Sequence, residues 1–169
     1  ELGVPCLWID AENVFDPDWA RRLGVNVDKL PISQAGTIAE TTDECVKWIK
    51  AGVKLIVIDS TSQLMQSSFV DENGEIKSFE DTKQQGTQAK DLGKFAKMVT
   101  SVNFDCAMVH ISQARIDLGA ASMQKPFQSV GGKEIRHLDS LRLRLAGTHA
   151  KNKQILEAVQ YGDVLIEEE

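Results

Sequence analysis

Three short runs constrain this chain more than any other feature: Cys6-Leu7-Trp8-Ile9, Val53-Lys54-Leu55-Ile56-Val57-Ile58 and Cys106-Ala107-Met108-Val109-His110-Ile111. Each is nearly continuously apolar instead of alternating, which is what a parallel strand covered on both faces requires. Each also ends in a polar cluster, namely Asp10-Ala11-Glu12-Asn13, Asp59-Ser60-Thr61-Ser62 and Ser112-Gln113-Ala114-Arg115. Ligands of open α/β sheets gather outside the carboxyl ends of the strands, so this repetition sets three polar clusters on one rim. That rim is the candidate site.

The segments between the runs have the texture of covering helices. Ile38 to Ala51 places Ile38, Cys45, Val46, Trp48 and Ile49 at helical spacing, with Thr37 as N-cap and Gly52 closing the end. A second helix is expected from about Thr82 to Thr100, with Ala89, Leu92, Phe95, Ala96 and Val99 on one side. Strand, helix, strand alternation implies right-handed crossovers and a doubly wound sheet. After Gly132 the texture changes: Leu141, Leu143 and Leu145 alternate with Arg142 and Arg144, and Ile155 to Ile166 mixes apolar with polar residues. This predicts antiparallel strands with one wet face. Ser67 to Lys77, which contains Asn73-Gly74, and Ile116 to Gly132, which contains Pro126, read as long loops on the same rim.

At 169 residues and 42% hydrophobic, residues 1–169 read as one domain able to bury its own core. The net charge of −6 argues against indiscriminate coating of polyanions, so any nucleic-acid contact must be local. Arg115, Lys125, Lys133, Arg136, Arg142 and Arg144 gather in one later stretch, apart from the carboxylates crowded into Asp71 to Asp81 and Glu167 to Glu169. Three widely spaced cysteines suggest neither a disulfide framework nor a zinc site, and fit a reducing, cytoplasmic setting. No apolar run approaches the roughly 18 residues needed to span a bilayer, so no membrane association is expected. His110, His137 and His149 lack metal-ligand spacing, and no nucleophile elbow is present.

Two motifs bear directly on chemistry. Leu55-Ile56-Val57-Ile58-Asp59-Ser60 is the pattern of a buried strand delivering a carboxylate to a magnesium-nucleotide. An Asp-Ser pair at a strand end also serves to cap a helix, and the run by itself leaves both readings open. Asp10 and Glu12 would add carboxylates to the same rim, suited to orienting or deprotonating a water, or else would be solvated loop residues. Rim carboxylates from adjacent strands repel unless a cation lies between them.

Taken in order, these motifs resemble the RecA recombinase family across nearly the whole chain. Ile9-Asp10-Ala11-Glu12, Asp16-Pro17-Asp18-Trp19-Ala20 and Leu23-Gly24-Val25 are similar to the family segment holding the catalytic glutamate and the residues flanking adenine. The resemblance implies that Glu12 activates water, that Asp16 faces the adenine amino group, and that Trp19 stacks on the base where many members have Tyr. It places Asp59 on the magnesium-linked aspartate with Ser60 beside it in the nucleotide site. Ile111-Ser112-Gln113-Ala114-Arg115 resembles the segment whose glutamine, here Gln113, senses the γ-phosphate and leads into the second DNA-binding loop, which closes at Gly131-Gly132. Arg115, Gly131 and Gly132 are the implied DNA contacts, followed by Lys125, Phe127 and Lys133. Lys151-Asn152-Lys153 resembles the lysine pair that reaches a neighbour's γ-phosphate across a filament interface, and Tyr161-Gly162 the pair beside adenine. Val70 to Phe79 falls loosely where the first DNA-binding loop belongs. The chain departs from the pattern in having Asp117 where a basic residue is common, and in shorter spacing around the lysines.

The resemblance implies an α/β fold: a RecA-like phosphate-loop NTPase core with a mostly parallel central sheet flanked by helices, and antiparallel strands at the C-terminal edge. Its cofactors would be ATP and Mg2+, and its partners single-stranded DNA and further copies of itself in a helical filament. Yet G-x-x-x-x-G-K-[ST] is not found in the 169 residues; Gly93-Lys94-Phe95 and Gly132-Lys133-Glu134 lack the hydroxyl and the preceding glycine. Family order puts that Walker A loop just before the run at Cys6, so the expectation is an N-terminally truncated core, inactive alone, of an ATP-dependent recombination and repair protein that promotes strand exchange. The alternative is a non-catalytic RecA-fold interaction module that has lost its phosphate loop. A hexameric helicase motor fits less well, because the segments at Asp16 to Ala20 and Gln113 to Gly132 follow the recombinase pattern.

Overall fold

The apolar runs become hydrogen-bonded strands because their side chains can be buried only if their amides are paired in a sheet. A computed structural model describes residues 3–71, 73, 75–78, 87–116, 127–129, 139–147 and 154–159. In chain order these form β1 (Cys6–Asp10), α1 (Pro17–Arg22), β2 (Ile32–Ser33), α2 (Ile38–Lys50), β3 (Leu55–Asp59), α3 (Thr87–Val102), β4 (Ala107–His110), β5 (Ala114–Ile116), β6 (Phe127–Ser129), β7 (Arg142–Gly147) and β8 (Gln154–Val159). The first four strands make one sheet in the order β2-β1-β3-β4, and every neighbour pair is parallel. The three runs therefore lie side by side with their carboxyl ends on one rim.

Register and burial show which face carries the core. Leu7 and Ile9 of β1 pair with Ile56 and Ile58 of β3, and all four are fully buried. They share a single cluster with Ile38 and Cys45 of α2 and Leu92, Phe95, Ala96 and Val99 of α3. Helices α2 and α3 also touch each other, so both lie on this face. On the opposite face Trp8 and Val57 are half-buried and Val109 is 45% exposed. There the Phe15 ring meets Trp8 at a centroid distance of 5.6 Å. Two covered faces were expected from the unbroken apolar runs; among the described residues the helices cover one.

Helix α2 begins where the sequence expects. Thr37 Oγ1 accepts from the Glu40 amide at 3.2 Å, and Glu40 Oε2 accepts from the Thr37 amide at 3.0 Å. This reciprocal box satisfies two amides that a helix start leaves orphaned. The chain leaves the helix through Gly52 at φ +91°, a left-handed conformation that glycine adopts without a Cβ penalty. Helix α3 is described from Thr87, five residues after the expected start, and runs two residues past the expected end. Asn103 then closes the turn into β4, its side chain donating to the Cys106 carbonyl and accepting from the Cys106 amide.

Both segments read as loops contain main-chain pairing. In the first, Val70 and Ile76 form an antiparallel bridge. Asp71 Oδ1 accepts from the Asn73 and Glu75 amides at 2.8 and 2.9 Å. Hydrogen bonds from the Glu75 and Asn73 backbone hold the Asp71 carboxyl below the usual range. In the second, β5 and β6 pair antiparallel, with Arg115 opposite Gln128 and Ile116 opposite Phe127. The antiparallel C-terminal strands are present as β7 paired with β8. They form their own two-stranded sheet, and Leu141 and Leu143 are exposed.

The capping box yields a direct test. Thr37→Ala removes the acceptor for the Glu40 amide and is expected to lower stability by about 1 kcal/mol in urea unfolding, whereas Thr37→Ser keeps the acceptor and most of the stability.

Candidate functional site

The site is built by the ends of β1, β3 and β4. In the parallel register Asp10 stands opposite Asp59, so two carboxylates reach the rim at one level. They are used differently. Asp10 is 3% exposed, and its oxygens accept from the Val14 amide at 3.1 Å and the Phe15 amide at 2.9 Å. It holds the outgoing loop. The Ala11 and Glu12 amides both donate to the Asp59 carbonyl, at 2.8 and 3.3 Å, and Asn13 turns the chain with φ 55°. Glu12 is thereby tied across the end of β3.

Beyond Asp59 the backbone passes through a cis peptide to Ser60. Ser60 is buried, and its hydroxyl donates to Glu12 Oε1 at 2.6 Å. The Ser60 and Ser62 hydroxyls lie 3.1 Å apart, and Ser62 Oγ accepts from the Gln113 amide at 3.1 Å. Thr61 fastens the neighbouring strand, its amide and hydroxyl both donating to the Ile111 carbonyl, at 2.9 and 3.1 Å. An open depression of about 500 Å³ adjoins Glu12, lined by Ala11, Glu12, Asn13, Gly36, Gln63 and Met65.

Burial, and then the negative charges of Glu12 and Asp10, push the Asp59 carboxyl above its ordinary value. The same crowding suits a cation, because a positive charge would relieve it. Among the described residues no group of three or more His, Cys, Asp or Glu side chains is arranged to hold a metal. Magnesium seldom needs one, being commonly bound through one or two carboxylates together with substrate phosphates and water. Asp59 fits that mode of binding.

The expected site residues fall into three groups within the described residues and a fourth outside them. Glu12, Asp59, Ser60 and the main chain of Gln113 are brought together by hydrogen bonds. Asp16 caps α1, its Oδ1 accepting from the Asp18 and Trp19 amides at 2.9 and 3.0 Å, and Trp19 on that helix is 57% exposed. Arg115 and Phe127 lie on β5 and β6. Lys125, Gly131, Gly132, Lys133, Lys151, Lys153, Tyr161 and Gly162 lie outside the described residues. The His110 ring meets Phe95 edge-on at 5.8 Å, and burial lowers its pKa.

Sequence reasoning missed Ser62, Gly36, Gln63 and Met65. Ser62 was visible only as part of a polar cluster. Gly36 and Met65 come together through a main-chain bond from the Met65 amide to the Gly36 carbonyl at 2.9 Å, a long-range pairing without a local signal.

The fold and the rim define the class first: an open α/β domain whose parallel strands deliver carboxylates and hydroxyls to one ligand-facing edge. The chain belongs to the RecA family, and the family model described as RecA N-terminal domain matches residues 1–162. It is similar to Protein RecA of Rickettsia canadensis (strain McKiel), 31% identical over 144 residues that cover 83% of this chain and 40% of the relative. Protein RecA of Cereibacter sphaeroides (strain ATCC 17023) is 31% identical over 151 residues, 88% of this chain and 42% of the relative. Protein RecA of Pseudomonas fluorescens (strain SBW25) is 30% identical over 156 residues, 89% of this chain and 42% of the relative. The chain thus spans about two-fifths of the length of these curated relatives.

The crowded carboxylates predict a stability effect whose sign can be worked out. A carboxyl whose folded pKa is raised binds its proton more tightly in the folded state, so its contribution becomes more unfavourable as pH rises from the unfolded value through the folded one. Asp59→Asn should therefore raise the thermal midpoint at pH 7 without divalent cation, and the gain should shrink as pH is lowered toward 4.

Proposed function

We propose that this chain carries the hydrolytic rim of a DNA-dependent ATPase that acts in homologous recombination and repair, binding single-stranded DNA and promoting strand exchange. The observation that supports it most is the joining of Glu12, Ser60, Ser62 and the Gln113 main chain by hydrogen bonds beside Asp59. In this reading Glu12 orients a water and takes its proton, with Ser60 holding the carboxylate in place. Asp59 faces the cation. Bound MgATP would supply the scissile phosphate and offset its charge. Gln113 senses the terminal phosphate and passes its loss to the segment that begins at β5. Asp16 and Trp19 would flank adenine, with Tyr161 and Gly162 beside it, and Lys151 and Lys153 would act on a neighbour's phosphate.

On the DNA side, Arg115 and Phe127 belong to the paired β5 and β6, with Lys125, Gly131, Gly132 and Lys133 nearby in sequence. Self-association into a helical filament and a cytoplasmic setting belong to the same reading. No helix among the described residues is long and apolar enough to cross a membrane. One sequence feature supports a second reading: the 169 residues contain no phosphate-loop motif, which is what a non-catalytic RecA-fold interaction module would also show.

Steady-state kinetics separates the two. A form extended to include a phosphate loop should hydrolyse ATP in response to single-stranded DNA, and Glu12→Gln should lower its kcat by about 10²- to 10⁴-fold with little change in KM. The 169-residue chain alone should bind ATP weakly and turn over negligibly; robust magnesium-dependent turnover by it would overturn this assignment. Arg115→Ala should weaken single-strand binding by the extended form and reduce the salt slope by about 1.

A further inference from the structure

The hydrogen bonds around Ser60 leave little freedom in where the protons lie. Each serine hydroxyl has one proton to donate and can accept in turn. The 2.6 Å contact from Ser60 Oγ to Glu12 Oε1 is in the range of a charge-assisted O–H···O⁻ bond. An ionised carboxylate can only accept, so the Ser60 proton points to Glu12. In its 3.1 Å contact with Ser62, Ser60 must then be the acceptor and Ser62 the donor. With its proton committed, Ser62 Oγ accepts from the Gln113 amide at 3.1 Å, a donor that cannot reverse. All the protons run in one direction, from Gln113 through Ser62 and Ser60 to Glu12.

We infer that Ser60 and Ser62 form a polarised hydroxyl relay coupling the Glu12 carboxylate to the main chain of Gln113, with Ser62 as a positioning residue acting on both. The inference rests on the proposed roles of Glu12 and Gln113 for its functional meaning, although the coupling itself does not. Its reach comes from the fold: residues 12, 60 to 62 and 113 follow three different strands, and only the parallel sheet brings them together. Ser60 is 1% exposed, so water cannot readily replace its partners. When the Glu12 carboxylate gains a proton from water it loses its charge and accepts more weakly from Ser60, whose hydroxyl is then freer to rotate toward Ser62. The Ser62 proton must then reorient, which weakens its acceptance from the Gln113 amide. Because coupling is reciprocal, displacement of the Gln113 main chain alters the hold on Glu12 in return. This route is independent of the Gln113 side chain and links hydrolysis to the start of β5.

The test is a double-mutant cycle read at one amide. In the 169-residue chain, hydrogen exchange of the Gln113 amide followed by NMR should be roughly threefold to tenfold faster in Ser62→Ala, and close to the parent in Ser62→Thr. Glu12→Ala should alter Gln113 exchange when Ser62 is present and have no further effect in the Ser62→Ala background. Unchanged exchange in Ser62→Ala, or equal effects of Glu12→Ala in both backgrounds, would overturn the relay. In the ATPase-competent extended form, Ser62→Ala should reduce the stimulation of kcat by DNA while KM for ATP holds, with Ser62→Thr restoring it. Undiminished stimulation in Ser62→Ala would likewise refute the positioning role. The expected amide responses together with no ATPase in any extended form would leave the relay standing and remove the proposed function instead.

Discussion

The register of β1 against β3 is the constraint on which the site depends. Main-chain hydrogen bonds align Cys6 with Leu55 and continue in step to Asp10 and Asp59. Side chains alternate along a strand, so this one alignment sends Leu7, Ile9, Ile56 and Ile58 into the core under α2 and α3 and brings the aspartates to the rim together. A slip of one residue would expose the core side chains and separate the carboxylates. Burial of the apolar face therefore also holds the polar edge in place.

That arrangement crowds negative charge, and the three carboxylates are accommodated differently. Asp10 is held by two amides and Glu12 by a serine hydroxyl. The Asp59 carboxylate has no such partner among the described residues, and it is the one whose pKa is raised. A group left unsatisfied beside two fixed negative charges is poised for a cation, which links the energetics of the fold to the proposed chemistry. The chain spans about two-fifths of its RecA relatives. The edge of the sheet itself is built from residues of this chain.

Much of the fold was legible in the chain. The apolar runs became strands to within one or two residues, Thr37 capped α2, and Gly52 ended it. These features depend on local chemistry, namely continuous apolar character, a capping hydroxyl three residues before a glutamate, and a glycine at a left-handed turn. The misreadings share a different cause. The pairing of β5 with β6 and the bridge from Val70 to Ile76 occur in polar stretches whose composition signals turns. Backbone pairing there owes little to side-chain pattern. For Asp10 the chain left two readings open, rim carboxylate or solvated loop residue; the amides of Val14 and Phe15 occupy it, and no spacing rule shows that.

The sequence by itself determined the strands, the capped helix and the types of group at the strand ends, because these follow from periodicity and local hydrogen bonding. The resemblance carried by its ordered motifs named the family. The tertiary structure decided which of those groups meet. Glu12, Ser60, Ser62 and Gln113 are far apart along the chain, and their contacts exist only because parallel strands place every carboxyl end on one edge. Side-chain identity could nominate Glu12 and Gln113; only the packed sheet shows that two serines connect them.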